Sequence, residues 1–208
     1  MKALIIVDLQ KDFVQGGSLA VPDGVSIIRV INQLQTCFDI VVATKDWHPK
    51  NHISFASTHG KKTGEVIETD GIKHILWPDH CVQNTKGAEF VDHLNPERIE
   101  RVFYKGADPK IDSYSGFFDD GRKSATGLDD YLKNQNVREV YIVGLATDYC
   151  VKYTAIDAAG LGYQTCVIQD AVKGVKLRPD DVENAFESMK KSGVVVMHRS
   201  DLKTLGKC

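Results

Sequence analysis

A cysteine in the C-terminal half of the chain has a setting that suits a nucleophile. Cys150 ends the segment GLATDYC, which follows the apolar run Glu139–Gly144 and enters a helical pattern that begins at Asp148. Exposed N–H groups at a helix start stabilise a thiolate, lower the pKa of a thiol and hold the oxyanion of an attacked carbonyl. An isolated cysteine is more often a buried, inert apolar residue. The nucleophile hypothesis therefore needs other reactive groups nearby.

Two charged residues follow other apolar runs and could supply these groups. Asp8 comes directly after Lys2–Val7, and Lys105 follows Glu100–Tyr104. A carboxylate could accept the thiol proton and pass it to a leaving amine. A nearby ammonium group would favour both the carboxylate and the thiolate. Charged residues also commonly end strands without any chemical role, so their meaning depends on whether the fold brings them together.

Histidine and aspartate residues after the second apolar run suit a metal ion. Asp46 and His48 lie two positions apart, and His80 follows in the same polar stretch. One carboxylate with two imidazoles could bind zinc, iron or manganese, with water or substrate in the remaining positions. Spacing alone leaves a capping aspartate beside an exposed histidine equally open. His52 is an alternative ligand. The remaining histidines are expected at the surface or in structural roles: His59, His74, His93 and His198.

The other four cysteines lack the setting of Cys150. Five cysteines at irregular spacing do not form the pattern of a disulfide framework, so reduced thiols are expected. Only Cys81 is of further interest, because it follows the candidate ligand His80. The other three occupy a helix end, a strand and the chain terminus: Cys37, Cys166 and Cys208.

Six apolar runs alternate with helical patterns and predict an α/β fold. Runs of Val and Ile without polar alternation are typical of strands buried on both faces, hence of a parallel sheet. Helical patterns between them indicate βαβ units. In such sheets the carboxyl ends of the strands form the binding edge, where the reactive residues would meet. The runs are Lys2–Val7, Asp39–Thr44, Glu100–Tyr104, Glu139–Gly144, Tyr163–Ile168 and Gly193–Met197. The helical patterns are Gly24–Cys37, Leu128–Asn134, Asp148–Ala159 and Pro179–Lys191.

Size and charge narrow the class of protein. The 208 residues, 42% of them hydrophobic, suit a single domain spanning 1–208. A net charge of -2 with mixed signs gives no basic field for nucleic acid or a membrane surface. Apolar runs are strand-sized and no targeting segment is visible, so the cytoplasm is expected. The polar stretch at about 46–87 shows no period and is expected to be a long loop over the strand ends.

Six segments in this order resemble the isochorismatase-like cysteine hydrolases and, within them, the nicotinamidases. The resemblance covers nearly the whole chain, and the combination is far more specific than any one segment. The segments are IIVDLQKDF at 5–13, TKDWHPKNHISF at 44–55, LWPDHCV at 76–82, FYKG at 103–106, YSGF at 114–117 and GLATDYCV at 144–151.

The resemblance implies a three-layer α/β/α sandwich around a six-stranded, mainly parallel sheet. It implies an oxyanion hole from the N–H groups of Ala146 and Cys150, beside a cis peptide bond between Leu145 and Ala146. The implied catalytic triad is Asp8, Lys105 and Cys150. The implied ligands of one divalent metal ion, with zinc first and iron or manganese as alternatives, are Asp46, His48 and His80.

The substrate implied by the resemblance is nicotinamide, hydrolysed to nicotinate and ammonia through a cysteine thioester. Such an enzyme is a hydrolase acting on a linear amide bond. Phe13, Trp77 and Tyr114 match the aromatic cage that relatives place around the pyridine ring. Relatives that cleave the enol ether of isochorismate lack the nucleophile, so Cys150 argues against that reaction.

Two other functions remain open at this point. A related amidohydrolase for N-carbamoyl or ureido substrates would keep the triad, although such relatives commonly lack the metal ligands. A non-enzymatic receiver-like signalling module would also place aspartates at strand ends, but it has no use for Cys150. Whether the chain forms a homo-oligomer is also open.

Overall fold

A six-stranded parallel sheet forms the centre of the protein. The computed structural model describes residues 1–69 and 71–204. The strands of this sheet are β1 (Lys2–Val7), β2 (Ile40–Asp46), β5 (Arg101–Lys105), β6 (Glu139–Leu145), β7 (Gln164–Lys173) and β8 (Val195–Met197). Their spatial order is β5-β2-β1-β6-β7-β8, and every neighbouring pair is parallel. Each predicted apolar run contains or overlaps one of these strands, which confirms the predicted sheet.

Helices cover both faces of this sheet and complete a three-layer sandwich. They are α1 (Ile28–Leu34), α2 (Leu128–Asn134), α3 (Lys152–Gly160), α4 (Asp181–Lys191) and α5 (Arg199–Thr204). Apolar residues of α1 and α5 pack into one core, and those of α2, α3 and α4 pack into the other. In the part of the chain that the structure describes, no helix combines the length and apolar character needed to cross a membrane.

Strand β1 shows why the apolar runs lack polar alternation. Successive side chains of a strand point to opposite faces of the sheet. Leu4 and Ile6 enter the core beneath α1, whereas Ala3, Ile5 and Val7 enter the core on the other face. All five are fully buried. The strand is therefore apolar on both sides because helices cover both.

The polar stretch after β2 contains regular structure, so the expectation of a loop without regular elements is wrong. Strands β3 (Val66–Thr69) and β4 (Ile72–Ile75) pair as a small antiparallel sheet of their own. Each has only four residues, and charged side chains interrupt the apolar ones. Such short strands give only a weak hydrophobic pattern. In β3 the pattern is weaker still, because most of its side chains face solvent.

Two helical predictions differ from the structure in detail. Within the predicted helix Gly24–Cys37, only Ile28–Leu34 is α-helical, and a 3₁₀ turn lies at each end. The predicted helix Asp148–Ala159 instead begins with a wide π-helical turn, Thr147–Val151, before α3. Helix α5 was not predicted, because its six residues carry little apolar pattern.

Candidate active site

The ends of four adjacent strands bring the reactive residues together. Asp8 follows β1, Asp46 ends β2 and Lys105 ends β5, while Cys150 lies in the turn after β6. Asp46 and Lys105 are direct partners in the register of β2 and β5. All four side chains are buried, with 6% or less of their surface exposed. The predicted convergence at one edge of the sheet is therefore present.

The ammonium group of Lys105 contacts the side chains of all three other residues. Its Nζ lies 2.9 Å from Asp8 Oδ2 and 3.4 Å from Cys150 Sγ, and it also contacts Asp46 Oδ1. A fourth contact is a hydrogen bond donated to the carbonyl oxygen of Ser113 at 2.9 Å. Burial lowers the pKa of Lys105, but the carboxylates of Asp46 and Asp8 raise it well above its usual value. The ammonium group therefore stays charged.

Asp8 is held in position by Thr44. The hydroxyl of Thr44 donates a hydrogen bond of 2.6 Å to Asp8 Oδ1 and accepts one of 3.2 Å from the Asp8 backbone N–H. Burial raises the pKa of Asp8, and this effect exceeds the lowering by Lys105. A carboxylate with a raised pKa is a better proton acceptor than an exposed one. Asp8 is thus suited to take a proton from a neighbouring group.

The thiol of Cys150 lies beside that acceptor. Its Sγ and carboxylate oxygens of Asp8 and Asp46 lie within 4.8 Å of one another. Burial raises the pKa of Cys150 well above its usual value, and the opposing effect of Lys105 is smaller. The expectation that the helix start lowers this pKa is therefore wrong. In the resting protein the thiol keeps its proton, so it becomes a nucleophile only by transferring that proton.

The turn that carries Cys150 has an unusual backbone. The Leu145–Ala146 peptide bond is cis, as the resemblance implies. The N–H groups of Tyr149 and Val151 both donate to the carbonyl oxygen of Ala146, at 3.1 and 3.0 Å. Gly144 has a φ of 113°, and a Cβ there would lie 2.1 Å from the Val7 carbonyl oxygen. Strand β6 can approach β1 this closely only with glycine at that position.

The remaining cysteines lie outside this cluster. Cys81 and Cys166 are buried, and burial raises the pKa of Cys81 well above its usual value. Cys37 is disulfide-bonded, so the expectation of a reduced thiol is wrong at that position. Cys208 lies outside the described residues.

Three of the predicted metal ligands form a compact cluster next to Lys105. Asp46 Oδ2 lies 3.6 Å from His48 Nε2 and 3.8 Å from His80 Nε2. The Nδ1 atoms of the two histidines face the carbonyl oxygens of Gly106 and Pro78, at 2.9 and 2.7 Å. Donation from Nδ1 to a carbonyl leaves Nε2 as the free ligand atom, the arrangement typical of metal-binding histidines.

The protonation states of Asp46 and His80 also suit a cation. Burial raises the pKa of Asp46, but Lys105 and His48 together hold it well below its usual range. Burial, followed by His48, lowers the pKa of His80 to about 4, so its imidazole is neutral. A charged carboxylate and neutral imidazole are the protonation states that bind a metal. The residues present therefore fit a divalent ion.

His52 does not contribute a free nitrogen to that cluster. Its Nδ1 lies 2.7 Å from the Ser54 hydroxyl and accepts the Ser54 backbone N–H, and its Nε2 faces the carbonyl oxygen of Ile111 at 3.3 Å. Burial lowers the pKa of His52 to about 2. Its ring lies against His48, with centroids 4.0 Å apart. His52 thus supports a ligand side chain while both its nitrogens are engaged by the protein.

A narrow cavity lies between Cys150 and the histidine cluster. Phe13, Trp77 and Tyr114 line it, at the positions that the resemblance implied. The Trp77 Nε1–H donates a hydrogen bond of 2.9 Å to the Tyr114 hydroxyl, which fixes both rings. The lining residues that were not predicted are Leu19, Asp112, Ser113, Tyr149 and Val175. Tyr149 could have been found, since it precedes Cys150.

Comparison with known proteins assigns the chain to a family. The model of the isochorismatase domain matches residues 2–201. The chain belongs to the isochorismatase family. Within the family it is 47% identical to a nicotinamidase of Escherichia coli over 204 residues, which cover 96% of each chain.

Solved structures of isochorismatase-family members share the fold over nearly the whole chain. A nicotinamidase and pyrazinamidase of Acinetobacter baumanii superposes with a TM-score of 0.94 at 48% identity, covering 97% of both chains. A pyrazinamidase of Pyrococcus horikoshii, solved in complex with zinc, superposes with a TM-score of 0.78 at 40% identity, covering 95% of this chain and 98% of that one.

Proposed function

We propose that this isochorismatase-family protein is a nicotinamidase, which hydrolyses nicotinamide to nicotinate and ammonia. The observation that carries the proposal is the position of Cys150, with Lys105 and Asp8 next to it, at one end of an aromatic cavity whose other wall holds the histidine cluster. Such a cavity offers a nucleophile to a carboxamide and a metal site to a ring nitrogen. The 47% identity to a nicotinamidase supports the same substrate.

In the proposed reaction Asp8 accepts the proton of Cys150 and the thiolate attacks the carboxamide carbon. The raised pKa of Cys150 keeps the proton on the thiol in the resting protein, and the raised pKa of Asp8 makes this carboxylate a stronger base for that proton. The N–H groups of Ala146 and Cys150 stabilise the oxyanion. Asp8 then gives the proton to the leaving ammonia, and it activates the water that hydrolyses the thioester to nicotinate. Lys105 stabilises the negative charge of Asp8 and of the thiolate.

The proposed metal ion is zinc, held by Asp46, His48 and His80. When bound, it supplies a Lewis-acid contact for the nitrogen of the pyridine ring. The zinc complex of the Pyrococcus horikoshii pyrazinamidase supports this choice, and the carboxylate–imidazole donor set suits zinc. Phe13, Trp77 and Tyr114 would hold the ring between them.

Ammonia release from a set of amides tests the substrate. Purified protein is incubated with nicotinamide, pyrazinamide, N-carbamoylsarcosine and ureidoacrylate, with and without a thiol alkylator. We expect fast release from nicotinamide and pyrazinamide only, and none after alkylation. Faster release from the carbamoyl or ureido compounds would favour the related amidohydrolase. No release from any of them would contradict an amide hydrolase of this substrate range.

Replacing His48 by alanine is expected to remove the metal and to weaken substrate binding. The variant loses one of the three protein ligands of this site, so the metal content should fall by about one equivalent. KM for nicotinamide should rise by about 10-fold or more, because the ring loses its contact at the metal. Metal analysis and steady-state kinetics measure these effects, with His198→Gln as the exposed-histidine control. Unchanged metal content would show that His48 is not a ligand.

Replacing Gly106 by alanine should disturb the same metal site without removing a ligand. A Cβ at this position would lie 2.3 Å from Cε1 and 2.5 Å from Nδ1 of the His48 ring. Gly106 also has a φ of 62°, a conformation that alanine adopts only with strain. We therefore expect metal affinity to fall by about 10-fold or more. The control is Gly162→Ala, which also has positive φ but open space around its Cβ. Equal metal affinity in both variants would contradict this role of Gly106.

A further inference from the structure

Two buried residues and one partly buried residue, all away from the triad, form a second group of ligand type. His74 lies on β4, and Asp112 and Asp120 lie in the segment after β5. One ring nitrogen of His74 and one carboxylate oxygen of each aspartate lie within 4.8 Å of one another. The sequence suggested a surface or structural histidine, yet His74 is only 2% exposed.

The ring of His74 lacks a protein partner. Its Nδ1 is buried without a hydrogen bond among the described residues. Buried polar atoms are nearly always paired, so this nitrogen is available to a ligand. Burial lowers the pKa of His74, so the ring is neutral and can donate a lone pair to a metal.

The two aspartates lack a basic partner of their own. Backbone N–H groups occupy one oxygen of each, from Ser113 to Asp112 Oδ1 at 2.8 Å and from Tyr114 to Asp120 Oδ1 at 3.1 Å. Neither carboxylate belongs to an ion pair among the described residues, and Lys105 already pairs with Asp8 and Asp46. Burial and the charge of Asp112 raise the pKa of Asp120 to about 6. Buried carboxylates without a salt-bridge partner are typical of cation sites.

We propose that His74, Asp112 and Asp120 bind a divalent transition-metal ion, separate from the ion at Asp46, His48 and His80. An imidazole with two carboxylates suits Zn²⁺ or Mn²⁺, and two positive charges balance two carboxylates. Ligand atoms of a tetrahedral ion lie about 3.4 Å apart at bond lengths near 2.1 Å. The three ligand atoms lie within 4.8 Å of one another, so the side chains would move inward by at most about 1.4 Å between any two of them.

The ion would join two segments beside the active-site cavity. His74 belongs to the β3–β4 hairpin, whereas the aspartates flank the segment that carries Ser113 and Tyr114. Ser113 accepts the hydrogen bond of Lys105, and Tyr114 lines the cavity. The proposed site would thus order the cavity wall, which Asp112 itself lines. It holds or fails independently of the nicotinamidase proposal.

Metal stoichiometry tests the site without measuring activity. Protein stripped with a chelator is titrated with Zn²⁺ in equilibrium dialysis, and bound metal is measured by elemental analysis. We expect two tight equivalents in the wild type and one each in His74→Gln, Asp120→Asn and His48→Ala. His198→Gln should keep two. Asp112 is left unchanged because it also lies near His48 and His52.

A thermal readout checks that the loss belongs to this site. The second equivalent of Zn²⁺ should raise the Tm of the wild type and of His48→Ala, but not that of His74→Gln. A wild type that binds one equivalent, all of it lost in His48→Ala, would overturn the proposal. So would two equivalents retained in His74→Gln and Asp120→Asn. If His74→Gln or Asp120→Asn does not fold, His48→Ala still tests the proposal. One bound equivalent of Zn²⁺ in His48→Ala would support the second site, and none would contradict it.

Discussion

Replacing Cys150 by alanine should lower kcat for nicotinamide by about 10⁴-fold or more while the protein stays folded. Removal of a nucleophile leaves only binding and oxyanion stabilisation, which give a small part of the acceleration. The fold should tolerate the change, because alanine removes only one buried sulfur atom. No buried charge loses its partner, since Lys105 keeps its ion pairs with Asp8 and Asp46. Ammonia release and thermal unfolding measure the two effects.

The matched control for Cys150→Ala is Cys166→Ala. Cys166 is also a buried cysteine, but it lies in β7 within the core on the α1 face. Its replacement should cost stability similar to that of Cys150→Ala and leave kcat within about 2-fold. Acid-quenched wild-type enzyme should also show a nicotinoyl adduct by mass spectrometry, which Cys150→Ala should lack. Near-normal turnover in Cys150→Ala would refute the nucleophile assignment.

The sheet and the reactive edge could be predicted because both depend on local pattern. A strand covered on both faces must be apolar throughout, as β1 is, and its end is marked by the first charged residue, Asp8. Parallel strands then bring their carboxyl ends to the same edge, so Asp8, Asp46, Lys105 and Cys150 meet without any knowledge of strand order. The metal ligands Asp46 and His48 follow from the same rule.

Features that depend on long-range packing could not be predicted in this way. Leu19 and Val175 reach the cavity from loops that are distant in sequence, and nothing in their local pattern marks them. The pKa of Cys150 was predicted in the wrong direction because the helix start is a local signal, whereas burial depends on the whole fold. His74 looked like a surface residue for the same reason, since its burial depends on the segment that contains Asp112.

Replacing Lys105 by methionine should destabilise the protein by about 3–5 kcal/mol, the largest stability effect expected at this site. Methionine keeps the length of the side chain but removes the cation shared by Asp8 and Asp46. Both carboxylates would remain buried, at 0% and 4% exposure, without the opposite charge that lowers the pKa of each. Denaturant unfolding measures the loss. Lys133→Met is the control: it breaks an exposed pair with Asp129 and should cost less than about 1 kcal/mol.

A double-mutant cycle with Asp8→Asn separates charge from packing at Lys105. If Lys105 stabilises the fold through the charge of Asp8, then Lys105→Met should cost less in the Asp8→Asn background, because one uncompensated carboxylate is gone. A coupling energy of about 1 kcal/mol or more is expected. Equal costs in both backgrounds would mean that Lys105 acts through Asp46, its packing or its bond to Ser113 and not through the charge of Asp8. Activity cannot make this distinction, since both single variants remove a member of the triad and should lower kcat strongly.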